Sequence, residues 1–267
     1  MAVLREDTRR RRVLRGQAVM LTKDRAICVR VVDYSETSQV VTLFGRSGGK
    51  IRAIAKGSKR QKSAFEGPIE PLSFGAIVFS GVRKDQLATL TEFQPEPVRG
   101  ELRRNLAALQ SALLAAELLD LLTEEYDPHP ELFDHFLSFL QDMEEGKAGP
   151  DPRDFLIRLI LFQFVLLHEA GLRPILSACV NCRRAFGADW RESYFSAAAN
   201  GLVCRDCEMS FPDKIRLRPK AAQCLADIKR IVQADQATLD EIEQLLIHHF
   251  THILGRPPKL AKHVFLP

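Results

Sequence analysis

The stretch SQVVTLFGRSGGKIRAIA at residues 38–55 decides how the N-terminal part of the chain folds. Two runs rich in β-branched residues, 38–44 and 50–55, flank a short connection that contains three glycines. Such a pattern predicts a β-hairpin. In the second run the letters K-I-R-A alternate between charged and apolar residues, so a strand would direct Lys50 and Arg52 to one face.

Three further runs complete a set of five predicted strands, with residues 26–33 before the hairpin and residues 76–81 and 86–93 after it. A longer connection, residues 56–73, is rich in Lys, Gly and Pro and separates the third strand from the fourth. Five short strands with a long link after the third are typical of a small OB-type β-barrel. The sequence therefore predicts an OB-fold domain over residues 17–95.

The pattern becomes helical after Pro95 and Pro97, where apolar residues begin to recur at steps of three and four. The predicted helices cover residues 101–125, 130–144, 152–169, 219–233 and 238–254. We therefore expect an α+β multidomain protein, with an α-helical domain over residues 96–267. Helix 152–169 is apolar around most of its circumference, which indicates a central buried helix rather than a membrane anchor.

Charge is distributed unevenly along the chain, although the formal net charge is only +4. Residues 1–94 carry 18 Lys and Arg against 9 Asp and Glu, whereas residues 95–267 carry 20 against 25. This asymmetry predicts a polyanionic partner for the N-terminal part, with a merely solvated basic surface as the alternative. The chain has neither a membrane-spanning pattern nor a secretory signal pattern, so we expect a cytoplasmic protein that does not contact the membrane.

Four of the six cysteines form two C-x-x-C pairs, Cys179 with Cys182 and Cys204 with Cys207, separated by 21 residues. This spacing is typical of two turns that converge on one zinc ion. Four thiolates would fill the tetrahedral coordination sphere of Zn²⁺, which predicts a structural zinc element over residues 179–207 rather than a catalytic metal. Four unligated or redox-active cysteines are the alternative.

A second candidate site is a run of cations on the third strand and the loop that follows it. Its members are Lys50, Arg52, Lys56, Lys59, Arg60 and Lys62. OB barrels bind single strands with cations on the phosphates and aromatic rings on the bases, so we expect this run to contact a polyanion, with a merely solvated face as the alternative. Phe65, Tyr34 and Phe44 are possible stacking residues, although an aromatic residue in a strand pattern more often belongs to the core. A basic extension, residues 1–16, could enlarge the same surface.

We find neither an active site nor a nucleotide-binding motif in this sequence, so we expect no enzymatic activity. Two rival interpretations stay open. The first is a zinc-ribbon RNA-binding or transcription-associated OB-fold protein, which competition between RNA and single-stranded DNA would distinguish. The second is a nuclease, which would degrade nucleic acid in the presence of magnesium.

Several segments together resemble the RecO family of bacterial DNA repair and recombination proteins. They are DYSETS at 33–38, VTLFG at 41–45, GGKIRAIAKG at 48–57, PIEPL at 68–72 and LLHEAGLRP at 166–174. With the two cysteine pairs, the similarity covers roughly residues 17–255.

The resemblance implies an N-terminal OB domain, a helical C-terminal domain and a zinc element. It also implies a recombination mediator of the RecF-type pathway that binds single- and double-stranded DNA and anneals complementary strands. Such a mediator helps RecR load RecA onto single strands coated with SSB, whose C-terminal tail docks on the helical domain. A nucleoid-associated protein is expected on this basis.

Overall fold

A computed structural model describes residues 21–60, 63–81, 86–97, 100–144 and 151–264. Its N-terminal part contains the strands β1 (Leu21–Asp33), β2 (Gln39–Gly45), β3 (Gly49–Ala55), β4 (Phe74–Ser80) and β5 (Ala88–Pro95). The five strands expected from the sequence are confirmed, with ends that differ by a few residues. The basic extension predicted over residues 1–16 lies outside the described residues.

The five strands close into a barrel in the order β1-β2-β3-β5-β4. β1 is antiparallel to both β2 and β4, while β3 and β5 pair in parallel with Ala53 opposite Ala88. The predicted alternation on β3 is confirmed, because Ile51 and Ala53 are buried inside the barrel whereas Arg52 is exposed. The OB-like barrel therefore presents one face of β3 to its surroundings.

The C-terminal part is helical. Its α-helices are α1 (Glu101–Arg104), α2 (Leu106–Leu122), α3 (Pro130–Glu144), α4 (Pro152–Glu169), α5 (Pro219–Ala226) and α6 (Gln236–Leu254). The prediction of one helix over residues 101–125 was wrong, because Asn105 interrupts it and accepts a hydrogen bond from the Ala108 amide at 3.1 Å. Asparagine is among the preferred residues at such a cap.

The helix predicted over residues 219–233 also ends early, at Ala226. Asp227 caps the 3₁₀ turn Ile228–Gln233 that follows, because its carboxylate accepts a hydrogen bond from the Lys229 amide at 3.3 Å. A local side-chain bond thus competed with continuation of the helix.

Helix α4 is central, as its apolar circumference predicts, and ten of its residues are buried against its neighbours. Among these, Gln163 donates a hydrogen bond to Glu243 Oε1 on α6 at 2.9 Å, and both side chains are fully buried. Burial raises the pKa of Glu243 to about 7. No helix in the described residues combines the length and apolarity that crossing a membrane requires.

A small antiparallel sheet lies between α4 and α5. Its strands β6 (Ser193–Ser196), β7 (Gly201–Cys204) and β8 (Ile215–Leu217) are ordered β7-β6-β8. The sequence did not predict these strands, because strands of three or four residues are too short for a clear alternation of polar and apolar residues.

The outer face of the barrel and the helices share one apolar core. Ile27, Val29, Phe44 and Phe74 on the barrel belong to the same buried cluster as the helical residues. The Phe133 ring of α3 lies with its centroid 6.2 Å from those of Phe44 and Phe74. The barrel interior forms a second, separate buried cluster. The barrel thus has its own core, and its outer face also belongs to the core of the helical part.

The backbone also connects the two parts. Lys50 of β3 forms a parallel bridge with Glu125, and its carbonyl accepts a hydrogen bond from the Tyr126 amide at 3.0 Å. Gly49 has a φ of +66°, and a Cβ at this position would lie 2.2 Å from the Asp127 carbonyl oxygen. Glycine is therefore required at this contact.

Candidate metal centre and nucleic-acid interface

The four cysteines of the two C-x-x-C pairs converge in space. The sulfur atoms of Cys179, Cys182, Cys204 and Cys207 all lie within 4.8 Å of one another, and none is in a disulfide. Cys179 and Cys182 lie in the connection after α4, whereas Cys204 ends β7 and Cys207 lies in the 3₁₀ turn Arg205–Ser210. This cluster could hold a metal ion.

The first cysteine pair forms a tight turn. The Arg183 amide donates to the Cys179 carbonyl at 3.0 Å, and Arg183 has a φ of +65°. Two N–H groups point at sulfur atoms, because the Cys204 amide lies 3.5 Å from Cys179 Sγ and the Asn181 side-chain amide lies 3.3 Å from Cys207 Sγ. Donors in this arrangement stabilise thiolates.

Protonation is divided unequally within the cluster. Burial disfavours the thiolate of Cys179, but hydrogen bonds from the backbone amides of Cys204, Cys182 and Asn181 outweigh it and lower the pKa of Cys179 to about 6. Burial, together with a hydrogen bond to Cys207, raises the pKa of Cys204 to about 12. A divalent cation would supply the positive charge that several neighbouring thiolates require.

The predicted DNA-binding cations lie in different surroundings, beginning with the two on β3. The Lys50 ammonium donates to the carbonyl oxygens of Asp120 and Thr123, both at 2.6 Å, at the C-terminal end of α2. Its side chain is only 12% exposed. Arg52 is 54% exposed and lies 3.3 Å from Glu125 Oε1. A DNA contact by Lys50 stays a prediction, but its present contacts tie the barrel to the helices.

The loop after β3 carries three of the other cations. Lys56 and Arg60 are exposed, while the Lys59 ammonium is 2.6 Å from Asp33 Oδ2. Lys56 and Arg60 line a shallow hollow of about 360 Å³ next to Thr89 on β5. Lys62 lies outside the described residues.

Two polar residues that the sequence did not single out hold this loop on the barrel. The buried Ser58 hydroxyl donates to Gln39 Oε1 at 2.9 Å, and the same oxygen accepts from the Ile69 amide at 2.9 Å. The Gln39 side-chain amide donates to the Ile69 carbonyl at 3.1 Å. Because these bonds satisfy buried polar groups, they fix both ends of the loop.

Only one of the three possible stacking residues is accessible. Phe44 and Phe65 are buried, whereas Tyr34 is 66% exposed in the turn between β1 and β2. The Lys59 amide donates to the Thr37 carbonyl at 3.2 Å, so this turn and the cationic loop lie side by side. Together Tyr34, Lys56, Lys59 and Arg60 form a surface that we call the barrel cation site. It offers charges for phosphates and one ring for a base.

The fold and its sites define the chain as an OB-like barrel protein with a helical region that carries a four-cysteine cluster. The family model described as Recombination protein O N terminal matches residues 20–97, and that described as Recombination protein O C terminal matches residues 103–262. The chain belongs to the RecO family of DNA repair proteins.

Similar proteins come from several bacteria. The DNA repair protein RecO of Bacillus pumilus (strain SAFR-032) is 32% identical over 243 residues, which cover 88% of this chain and 90% of the relative. The DNA repair protein RecO of Bacillus subtilis (strain 168) is 31% identical, and the match covers 88% of this chain and 91% of the relative. The DNA repair protein RecO of Rhodopirellula baltica is 33% identical over 216 residues, which cover 80% of this chain and 77% of the relative.

Proposed function

We propose that the chain is a non-enzymatic, DNA-binding recombination mediator of the RecF-type pathway. It anneals complementary strands and helps RecR load RecA onto single-stranded DNA coated with SSB. It contacts RecA only indirectly, and it works in the cytoplasm in association with the nucleoid. The observation that carries this proposal is the barrel cation site in a chain of the RecO family.

Annealing follows from electrostatics on this proposal. The phosphates contact Arg52, Lys56, Lys59, Arg60 and Lys62, and bound counterions are released, which gives affinity with little dependence on base sequence. Strands held on a positive surface repel each other less and meet at a higher local concentration. No bond is made or broken, so no catalytic group is needed.

The four-cysteine cluster has a structural role on this proposal. Cys179, Cys182, Cys204 and Cys207 would hold one Zn²⁺, whose four thiolate ligands leave no position for water or substrate. The ion would fix the segment between the two pairs onto the helical region.

The SSB tail docks in a groove of about 650 Å³ beside α4. Apolar side chains including Leu161, Phe164 and Leu176 line it, and Arg173 lies at its edge as an exposed cation. An acidic peptide with apolar end residues requires both kinds of contact. This match of chemistry supports the proposal.

The proposal is tested by replacing Lys56, Lys59, Arg60 and Lys62 with alanine in the full chain. The slope of log affinity for single-stranded DNA against log salt should fall by about 3, at about 0.7 for each phosphate contact. Annealing of complementary strands should fall in parallel. Thermal stability should hardly change, because Lys56 and Arg60 are exposed and a surface ion pair such as that of Lys59 with Asp33 contributes about 0–1 kcal/mol.

A matched control removes the same charge from exposed positions elsewhere, namely Arg104, Arg256, Lys259 and Lys262. It should leave both slope and annealing close to the wild-type values. A well-folded barrel variant with unchanged slope and annealing would contradict the proposal. A wild-type chain that prefers RNA over single-stranded DNA in competition would favour the RNA-binding interpretation instead.

A further inference from the structure

A broad groove of about 770 Å³ separates the cysteine element from α5. Four arginines line it, namely Arg191, Arg216, Arg218 and Arg230. They lie in the acidic part of the chain, where residues 95–267 carry 20 Lys and Arg against 25 Asp and Glu. The arginine groove is therefore a local concentration of positive charge and not a part of a generally basic surface.

Carboxylates beneath the arginines hold them in place. Arg216 donates to Glu192 Oε1 at 2.6 Å, and its side chain is 68% exposed whereas that of Glu192 is 18% exposed. Arg218 pairs with Glu241 in the same way, with 56% and 18% exposed. Because each guanidinium has five N–H donors, these pairs position the group and leave further donors for an anion.

The charge of the groove stays positive when these pairs are counted. Glu192 and Asp227 belong to the lining, and Glu241 pairs with Arg218 from outside it, so three carboxylates stand against the four arginines. Arg230 lies 3.3 Å from Asp227, and both of these side chains are more than half exposed. Planar guanidinium groups bind phosphate through two parallel hydrogen bonds, which favours a phosphate-bearing ligand.

The floor of the groove is apolar. The buried Trp190 donates its indole N–H to the Ala185 carbonyl at 2.9 Å, and its ring lies 5.2 Å from that of Phe186. Leu217 and Ala226 extend this floor. A charged rim above an apolar floor suits a strand whose phosphates contact arginines while its sugars and bases contact the floor.

We propose that the arginine groove is a second binding site for single-stranded DNA, separate from the barrel cation site. This inference rests on the proposed function, and four guanidinium groups on one groove, each suited to bidentate phosphate binding, favour the repeated phosphates of a strand as the occupant. With two sites, one chain holds two strands at once. Complementary strands then meet on a single molecule, without a second copy of the protein.

The test counts strands per chain. Arg216→Gln and Arg230→Gln are combined in the full-length protein, with Arg104→Gln and Arg256→Gln combined as a control that removes the same charge. A fluorescent octamer of thymidylate is titrated at low salt, with the protein well above its dissociation constant, and thermal melting confirms that each variant is folded. The number of strands bound per chain is the same for a monomer and for a self-associated form in which each chain keeps its own sites.

We expect two octamers per chain for the wild type and the control, and one for the groove variant. The variant with alanine at the four barrel cations should also bind one octamer, and a variant that combines the barrel and groove substitutions should bind none. Loss of two phosphate contacts should lower the overall salt slope by about 1.4. A groove variant that still binds two octamers overturns the inference.

Other outcomes separate the two proposals. One octamer on the wild type and none on the barrel variant would overturn the second site and leave the proposed function standing. No octamer on the wild type would overturn both. An acidic decapeptide that binds the wild type and not the groove variant, while octamer stoichiometry is unchanged, would make the groove a protein-docking site and overturn the inference.

Discussion

Replacing Lys50 with methionine removes a cation from the C-terminal end of α2 while keeping the length of the side chain. The ammonium donates to the carbonyls of Asp120 and Thr123, both at 2.6 Å, and lies 3.5 Å from Asp120 Oδ1. A hydrogen bond from a charged donor contributes about 1.5–3 kcal/mol, and a cation at a helix C-terminus up to ~2 kcal/mol. Because water can reach part of this site, we expect a loss of about 3 kcal/mol in the free energy of unfolding.

Urea denaturation measures this loss, and the melting temperature should fall by about 6 °C at roughly 2 °C per kcal/mol for a chain of this size. Arg52→Met is the matched control, two residues away on the same face of β3. The Arg52 side chain is 54% exposed beside Glu125, so water reaches this ion pair. Pairs of this kind contribute about 0–1 kcal/mol, so its stability should hardly change.

Equal stabilities of the Lys50 and Arg52 variants would refute this reasoning. So would a Lys50→Met variant of wild-type stability that has lost affinity for single-stranded DNA, because Lys50 would then contact phosphate rather than the helix. At a temperature where both variants are folded, the DNA affinity of Lys50→Met tests the predicted phosphate contact of Lys50 separately from its contact with the helix.

Three other predictions concern the metal, a buried carboxyl group and the tail groove. Metal analysis should find about one zinc per chain, and Cys179→Ser should lower the melting temperature, whereas a metal-free chain of unchanged stability would contradict a structural ion. Burial raises the pKa of Glu243 to about 7, so the folded chain keeps a proton that the unfolded chain has lost, and stability falls as pH rises from about 4.5 to about 7. Glu243→Gln cannot titrate, so it should remove up to ~3 kcal/mol of that fall. The melting temperature of the variant should therefore exceed that of the wild type by more at about pH 8 than at about pH 5. A difference in melting temperature that is the same at both pH values would count against this prediction. Arg173→Glu should weaken binding of an SSB tail peptide about tenfold by reversing a rim charge, measured by fluorescence anisotropy; equal affinities for this variant and a Lys259→Glu control would argue against the groove.

The barrel could be predicted from the sequence because its signals are local. β-branched runs, the glycine-containing turn before Lys50 and the alternation around Arg52 each depend on neighbouring residues only. The convergence of the two C-x-x-C pairs could also be predicted, because each pair is a self-contained turn that brings two sulfur atoms together. The helices were also evident, except where Asn105 and Asp227 form caps inside a continuous apolar pattern.

The environment of each site residue could not be predicted, because it depends on residues distant in the sequence. Lys50 contacts a helix end some 70 positions later, so a strand pattern cannot distinguish it from a DNA-binding cation. Tyr34 and Phe65 differ in burial because one lies in a turn and the other against the barrel interior. Arg191, Arg216 and Arg230 lie in three different segments of the chain and line one groove only in the folded structure. No pattern in the sequence indicates that they lie together.

The apolar core shared by barrel and helices limits how the chain can be divided into fragments. An excised barrel ending near Glu96 would expose Ile27, Val29, Phe44 and Phe74 to water, at about 1.5–3 kcal/mol for each side chain. Such a fragment would associate with itself through this patch before it could be assayed for DNA binding. A piece that stops after α3 would in turn expose Phe136 and Phe139, which pack on Phe162 of α4. The barrel has an interior core of its own, yet it cannot be cut from the chain without uncovering a second apolar surface that the helices bury.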